Sequence, residues 1–356
     1  MKLAKVSIQN FRVVRELNVD LSAYDGLRRL TLLLGDNGSG KTSVLQAIAL
    51  VLSLATRQTR DASQLAWNGF MADRIATLGP PMVELQVRFD EDEVEAVAEL
   101  YGTWRDSRPT DWLQAHRVIE PSRHTVVTLR YEGGRLTSPQ GPEGVCQFLG
   151  RYYVRTLSAQ LPLRFYDYFS RLGDVFWFDQ YRNLGTARLE PGQDAGDWVA
   201  GVEQLRGSFK EWWGYHSSGR GRDYISEVEQ RFGAIYPGTR IIGPAERDAA
   251  SAQGSANGLF LLGREDVEFD ISEMSSGEQA VMALICRFVP MSIARSIVLV
   301  DELEMHLHPP QQQALLAALP HLGPDCQYIA TTHSPYLEGA VPHEWQVRLE
   351  RGRLCL

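Results

Sequence analysis

The sequence predicts an α/β protein, and three observations carry that expectation. A strand, a glycine-rich turn and an apolar helix follow one another over residues 29–55. An apolar strand near residue 300 ends in two adjacent acids. Short segments of period-2 alternation, rich in β-branched residues, fill much of the remainder. With 356 residues, 44% hydrophobic and 22% charged, the composition is globular, which excludes a disordered or fibrous chain. The length suits about two domains, or one large domain with an insertion. Lys and Arg number 36 against 44 Asp and Glu, a net charge of −8, which argues against a protein that coats nucleic acid everywhere but leaves room for a local basic patch. Cys146, Cys286, Cys326 and Cys355 are scattered without a C-x-x-C, so neither a disulfide framework nor a cysteine zinc site is implied, in keeping with a reducing compartment. Met1–Phe11 has no signal-peptide core, and the longest apolar stretch, Val44–Ala55, is about half of the ~20 residues needed to span a bilayer. A cytoplasmic chain without a membrane partner is the expectation.

The elements follow in order. Strands are expected at Leu3–Ile8, Leu17–Leu21 and Arg29–Leu34, then a helix over Thr42–Ala55, which lacks Gly and Pro. Val83–Phe89 and Thr125–Tyr131 read as strands, the second closed by the Gly133-Gly134 turn. Gly102–Ser122, rich in Trp, Arg, Pro and Asp, reads as a connecting excursion. Val175–Phe178 is an apolar strand, and Trp198–Phe232 is mostly helical with a break at residues 217–222. Ala249–Gly258 is small and polar and reads as a loop. A hairpin-like pair (Leu259–Leu262, Val267–Phe269), a helix from Ser276, a strand at Ile297–Val300, a helix near Gln311–Leu319 and a strand at Tyr328–Thr331 complete the expected core. There is no internal repeat and no heptad run long enough for a coiled coil.

Gly35-Asp36-Asn37-Gly38-Ser39-Gly40-Lys41-Thr42 matches G-x-x-x-x-G-K-[ST] and lies between a strand and a helix, where its mechanism requires it. Glycines let backbone N–H groups close around phosphate oxygens, and the helix N-terminus adds partial positive charge. In that arrangement Lys41 reaches the β- and γ-phosphates, Thr42 ligates Mg²⁺, and Gly35, Asn37, Gly38, Ser39, Gly40 and Ser43 line the nucleotide. Ile297–Val300 leads into Asp301-Glu302, a Walker B strand: Asp301 for the Mg²⁺ shell, Glu302 to polarise the attacking water. Ser275 and Glu278 form an S-x-x-E capping box ahead of a helix, and a capped helix start with Ser275 and Gly277 is also an anion-binding surface. Either reading suits the residues alone. His333 follows the last core strand in Thr332-His333-Ser334-Pro335.

Taken in this order, Asn10-Phe11-Arg12, Gly35–Thr42, Ser275–Gln279, Asp301-Glu302-Leu303-Glu304 with Leu307-His308-Pro309, and Thr332-His333-Ser334-Pro335 make the chain resemble the ABC-type P-loop ATPases, in their OLD/RecF/SMC-like branch. The resemblance implies an ABC-ATPase head: a mixed P-loop sheet, an antiparallel β subdomain and a compact helical insertion without a long coiled coil. It divides the chain into an N-terminal lobe (1–180), a helical insertion (181–258) and a C-terminal lobe (259–356). It further implies ATP and Mg²⁺ as ligands and a homodimer with two composite sites. Lys41, Glu302, His333 and the partner copy's Ser275 are then catalytic, Arg12 and Gly277 face phosphate, and Thr42, Gln180 and Asp301 hold the metal. Gln64 rivals Gln180 as the Q-loop residue. Three positions depart from the pattern: Met274 for Leu and Ser276 for Gly in the signature, and Leu303 where the branch often has Pro.

Between Gln180 and Ser275 there is room only for a compact subdomain, and the sequence given stops about twenty residues past His333, short of the Toprim nuclease domain of OLD proteins. A separate effector protein, a nuclease or toxin, is therefore expected, since stand-alone ATPases of this shape are similar to sensor subunits of anti-phage systems such as Septu. DNA is left open as a ligand. Residues 1–60 carry nine basic and four acidic residues, a balance of +5, and Lys210, Trp212, Trp213, Tyr215, Arg220 and Arg222 interleave base with aromatic. The plainer reading of those residues is that the tryptophans pack the subdomain and the arginines are solvated. The resemblance also leaves two other functions, a RecF-like DNA-repair clamp and a transporter's nucleotide-binding subunit. Transporter subunits usually read D-E-P-T after Walker B and T-H-D at the switch, and this chain has neither.

Overall fold

The computed structural model describes residues 1–356 except 24–25, 66, 68, 158–164, 180–196, 220–221, 246–257, 306 and 356, and except the side chains of 165–166 and 197–204. The described chain divides into two compact units. The first comprises Met1–Asp179, Ser292–Leu303 and Gly323–Leu356; the second comprises Gln180–Met291 and Glu304–Leu322.

The first unit is built on strands β1 (Lys2–Phe11), β2 (Val14–Asp20), a small ribbon β3 (Ser22–Ala23) and β4 (Gly26–Leu27), β5 (Leu30–Leu34), β6 (Met82–Arg88), β7 (Val126–Glu132), β8 (Arg135–Thr137) and β9 (Val175–Phe178). To these the second unit adds β10 (Thr239–Ala245), β11 (Leu259–Arg264) and β12 (Val267–Asp270) in a sheet of their own, and the chain then returns to the first with β13 (Ile297–Val300), β14 (Gln327–Thr331), β15 (Gln346–Glu350) and β16 (Arg353–Leu354). Eleven strands of the first unit form one mixed sheet in the order β8-β7-β6-β1-β2-β16-β15-β5-β14-β13-β9. The β8–β2 half is antiparallel, and β15, β5, β14, β13 and β9 run parallel. The expected head fold, with its mixed sheet and antiparallel subdomain, is what the structure has.

Helix α1 (Lys41–Ala55) packs on β1, β6 and β7 of one half and on β9, β13 and β14 of the other. A helix covered on both sides must be apolar all round, and only Thr42 and Leu54 of its residues are not buried. Outside this core, α2 (Glu91–Asp106), α3 (Thr110–Ala115), α4 (Pro142–Cys146), α5 (Gly150–Leu157) and α6 (Phe165–Arg171) belong to the same unit. In the second, α7 (Asp197–Ser218) and α8 (Tyr224–Ile235) precede and α9 (Ser276–Phe288) and α10 (Pro309–Leu322) follow the three-stranded sheet, while α11 (Pro335–Ala340) lies in the first unit. The described helices include no run long and apolar enough to cross a membrane.

Two expectations need correction. Gly102–Ser122 is not only a connecting excursion: α2 runs through Gly102 to Asp106, because Val97, Leu100, Tyr101 and Trp104 line one buried face against Tyr153 and Leu157. Trp104, only 7% exposed, is a core residue. Nor does the core end at Thr331. β15 lies inside the sheet between β5 and β16, its Val347 and Leu349 buried and alternating with the exposed Arg348 and Glu350.

Candidate active site

The first unit holds the P-loop and the Walker B acids. β5 ends at Leu34 and the chain turns into α1 through Gly35, Gly38 and Gly40, all at positive φ (144°, 78° and 104°). Only glycine holds these conformations without strain. At Gly35 a Cβ would overlap the Leu349 carbonyl and crowd Ser39 Oγ, and at Gly40 it would press on Val13 and Val14. Gly38, by contrast, faces open space. The loop is pinned from below by the Gly352 N–H, which donates to the Ser39 carbonyl at 3.0 Å. Lys41, buried, donates through Nζ to the Gly35 and Asp36 carbonyls at 2.8 and 3.1 Å, so its ammonium is held inside the loop's curve. Asn37 is exposed at the loop tip and Ser43 is buried in the first turn of α1.

Register brings the acids to the same place. β13 and β14 pair in parallel up to Val300 opposite Ala330, which sets Asp301 beside Thr331 and next to the start of α1. Thr42 Oγ1 donates to Asp301 at 3.0 and 3.1 Å from its two oxygens, and Thr331 Oγ1 donates to Asp301 Oδ1 at 2.6 Å. Glu302, half-buried, sits at φ 49°, a conformation uncommon for a residue with a side chain and concentrated at functional sites. Its N–H donates to Thr331 Oγ1 at 2.7 Å and the next N–H, of Leu303, to the Thr331 carbonyl at 3.0 Å. Leucine in place of the branch's proline therefore has a use: proline has no N–H to make that bond. His333 is exposed between β14 and α11, and Ser334 caps α11 through the N–H groups of Tyr336 and Leu337.

Arg12, also at positive φ, directs its guanidinium to Gln46 of α1 and to the Gly69 carbonyl at 2.8 Å, and burial pushes its pKa down. Gln46, inside the apolar stretch Val44–Ala55, is the buried acceptor for it. Gln64 is exposed and accepts from Thr59 and the Arg60 N–H within its own loop. Gln180 lies outside the described residues.

The second unit carries the signature region. Ser275 and Glu278 make the full capping box at the start of α9, with Ser275 and Ser276 exposed and Gly277 buried. Arg264 of β11 donates to Glu278 Oε1 at 2.5 Å and lies over Tyr236 and Phe269. Burial raises the Glu278 pKa, but bonds from Ser275 and Arg264 outweigh it and hold the carboxyl below its usual value. Two buried glutamines do parallel work: Gln279 donates to the Met274 carbonyl at 3.0 Å and Gln312 to the Leu307 carbonyl at 2.8 Å, each fixing the loop ahead of its helix. Arg264 and Gln312 had no signal in the sequence, and Gln279 stood there only as the end of the Ser275–Gln279 motif. In the basic–aromatic set, Trp212 is buried against Phe209 and Tyr224, and Arg222 pairs with Glu227. Arg220 is outside the described residues.

The donors present suit a nucleotide and a hard cation. Gly40, the N-cap of α1, offers no side-chain cap, and helix geometry leaves first-turn N–H groups without intrahelical acceptors. Ser39 Oγ is buried and has no partner among the described residues. Hydroxyl and carboxylate oxygens, as at Thr42 and Asp301, are the ligands Mg²⁺ takes.

Fold and site together define a P-loop, ABC-like ATPase of the RecF/SMC/OLD type. The family model described as "AAA domain, putative AbiEii toxin, Type IV TA system" matches residues 159–337, half of the chain, and one described as "AAA ATPase domain" matches residues 1–115. The chain belongs to this AAA domain family. The DNA replication and repair protein RecF of Leptospira interrogans is 30% identical over 117 residues, covering 29% of this chain and 31% of RecF. Septu protein PtuA of Bacillus mycoides is 34% identical over 364 residues, covering 98% of this chain and 40% of PtuA. The chain thus spans well under half the length of either relative. A solved SMC head bound to the C-winged helix domain of ScpA shares the fold, with 14% identity, a TM-score of 0.50, and coverage of 99% of this chain and 96% of that one.

Proposed function

We propose that the chain is a Mg²⁺-dependent ATPase that closes as a homodimer on ATP and regulates a separate effector, a nuclease or toxin, in anti-phage defence. The observation that carries the reading is the meeting of Thr42, Asp301 and the left-handed Glu302 beside the P-loop. The similarity to PtuA over nearly the whole chain supports the defence setting and a partnered effector. Water attacks the γ-phosphorus in line, and the bond to the bridging oxygen breaks to give ADP and phosphate. Glu302 orients the water, and Lys41 and the P-loop N–H groups, with Gly35, Asn37, Ser39 and Ser43 shaping the loop, hold the phosphates. Thr42 and Asp301 would hold Mg²⁺, with Gln180 as the further ligand; bound there, the ion neutralises charge on the β- and γ-phosphates. Ser275 and Gly277 of the second copy complete the site, His333 senses the γ-phosphate, and Arg12, which the resemblance sets toward phosphate, holds Gln46 of α1. In this scheme residues 1–180 and 259–356 are the two lobes and 181–258 the insertion, working where a cytoplasmic effector can be reached.

The test is the solution mass of Glu302→Gln with and without ATP and Mg²⁺. Removing the carboxylate preserves shape, so a composite-site ATPase accumulates as dimer, and Ser275→Arg abolishes the shift. A mass indifferent to ATP rejects the clamp. The RecF similarity favours a second reading, a DNA-repair clamp, which predicts that a short duplex co-migrates with the ATP-bound dimer.

A further inference from the structure

We propose that Thr331 is a positioning residue whose hydroxyl sets both Walker B acids for hydrolysis. The inference rests on the ATPase reading above and adds to it a residue that its motifs do not contain. Thr331 is fully buried at the end of β14. Its hydroxyl hydrogen goes to Asp301 Oδ1 at 2.6 Å, while its oxygen accepts the Glu302 N–H at 2.7 Å. One oxygen thus fixes the orientation of the first carboxylate and the backbone of the second. The Leu303 N–H on the Thr331 carbonyl closes the grip at 3.0 Å.

The geometry has a direct cause. The parallel ladder between β13 and β14 runs to Val300 and Ala330, and there the chain leaves the strand because Glu302 adopts positive φ. A regular ladder cannot continue through that turn, so the Glu302 N–H needs another acceptor, and the side chain opposite supplies it. Without the hydroxyl, the Glu302 N–H loses this 2.7 Å acceptor at a residue whose left-handed backbone is itself costly. Asp301 keeps the Thr42 contact on both oxygens but loses the partner that fixes its rotation from the β14 side. A carboxylate held at fewer points offers Mg²⁺ a less ordered oxygen, and a displaced Glu302 no longer holds the attacking water in line.

Two pairs of variants isolate the hydroxyl. Thr331→Val keeps the shape and removes the oxygen; Thr331→Ser against Thr331→Ala makes the same comparison at smaller volume, should the valine protein fail to fold. Each is assayed for ATP turnover and, by electron paramagnetic resonance, for Mn²⁺ binding in the presence of ADP. Thr331→Val and Thr331→Ala should lower kcat and Mn²⁺ affinity each by about tenfold or more, with KM for ATP within about threefold, while Thr331→Ser stays within about threefold of the parent in all three. Parental kcat and Mn²⁺ affinity in the valine or alanine protein overturn the proposal, as does a serine protein as impaired as alanine. A parent that binds Mn²⁺–ADP but never turns over ATP sinks the ATPase reading alone, and the Mn²⁺ arm then judges Thr331. A parent that binds no Mn²⁺ sinks both.

Discussion

The Walker region of the first unit and the signature region of the second are built by different physics. In the first, the partners are distant in sequence: Thr42 and Asp301 lie 259 residues apart and Asp301 and Thr331 lie 30 apart, joined by strand register. In the second, Ser275 and Glu278 lie three residues apart and cap their own helix, with Arg264, 14 residues from Glu278, as an outside brace. A site made by register stands or falls with the sheet. A site made by a helix cap can be altered with a local cost, and so its proposed role in a partner copy can be tested without losing the fold.

The largest effect should come from the Walker region. Lys41→Ala removes the ammonium held inside the loop and should lower ATP hydrolysis by about 10²–10³-fold or more, read as phosphate release, with the melting temperature close to the parent's. Activity within tenfold of the parent would break the assignment of Lys41. Next, two glycines of the same loop should part company. Gly35→Ala meets positive φ and a carbonyl overlap and should cost about 3 kcal/mol or more in urea unfolding. Gly38→Ala meets strain in open space and should cost about 1–2 kcal/mol. Equal costs would mean that the loop does not rest on Leu349 as described.

The signature region gives smaller changes. Ser275→Ala removes the cap of α9 and should cost about 1 kcal/mol in stability, measured by the same unfolding curves. Smallest is a pH effect. Because the Glu278 carboxyl is held below its usual value in the folded chain, its contribution is full above the unfolded pKa of about 4.3 and is lost as pH falls through the folded value. The stability gap between parent and Glu278→Gln should therefore be constant near neutrality and close as the pH falls below about 4. A gap that widens on acidification would contradict the Arg264–Ser275–Glu278 arrangement.

The same contrast decides what was legible in the sequence. Gly35–Thr42, Asp301-Glu302 and the Ser275–Glu278 box are local patterns, each with its mechanism inside a few residues, and they marked the fold and the site's outline. Thr331 and Gln46 act only through partners brought by strand register and by the packing of α1, and a Thr in a strand or a Gln in a helix has no local mark of that duty. β15 was missed because two buried residues, Val347 and Leu349, make too short an alternation to stand out, although the sheet places them at its centre. α2 was missed altogether, and its end was read into the Gly102–Ser122 excursion, because Gly102 and the polar residues after it look like a connection, while the buried face from Val94 to Trp104 keeps it helical.

In the proposed clamp, one copy's Walker region works with another copy's signature. Lys41→Ala and Ser275→Arg proteins, each inactive alone, should recover ATP hydrolysis when mixed, because a mixed dimer holds one site with both Lys41 and Ser275 intact; random pairing allows up to about a quarter of the parental rate. A mixture as inactive as its components, with mixed dimers shown to form, would contradict it.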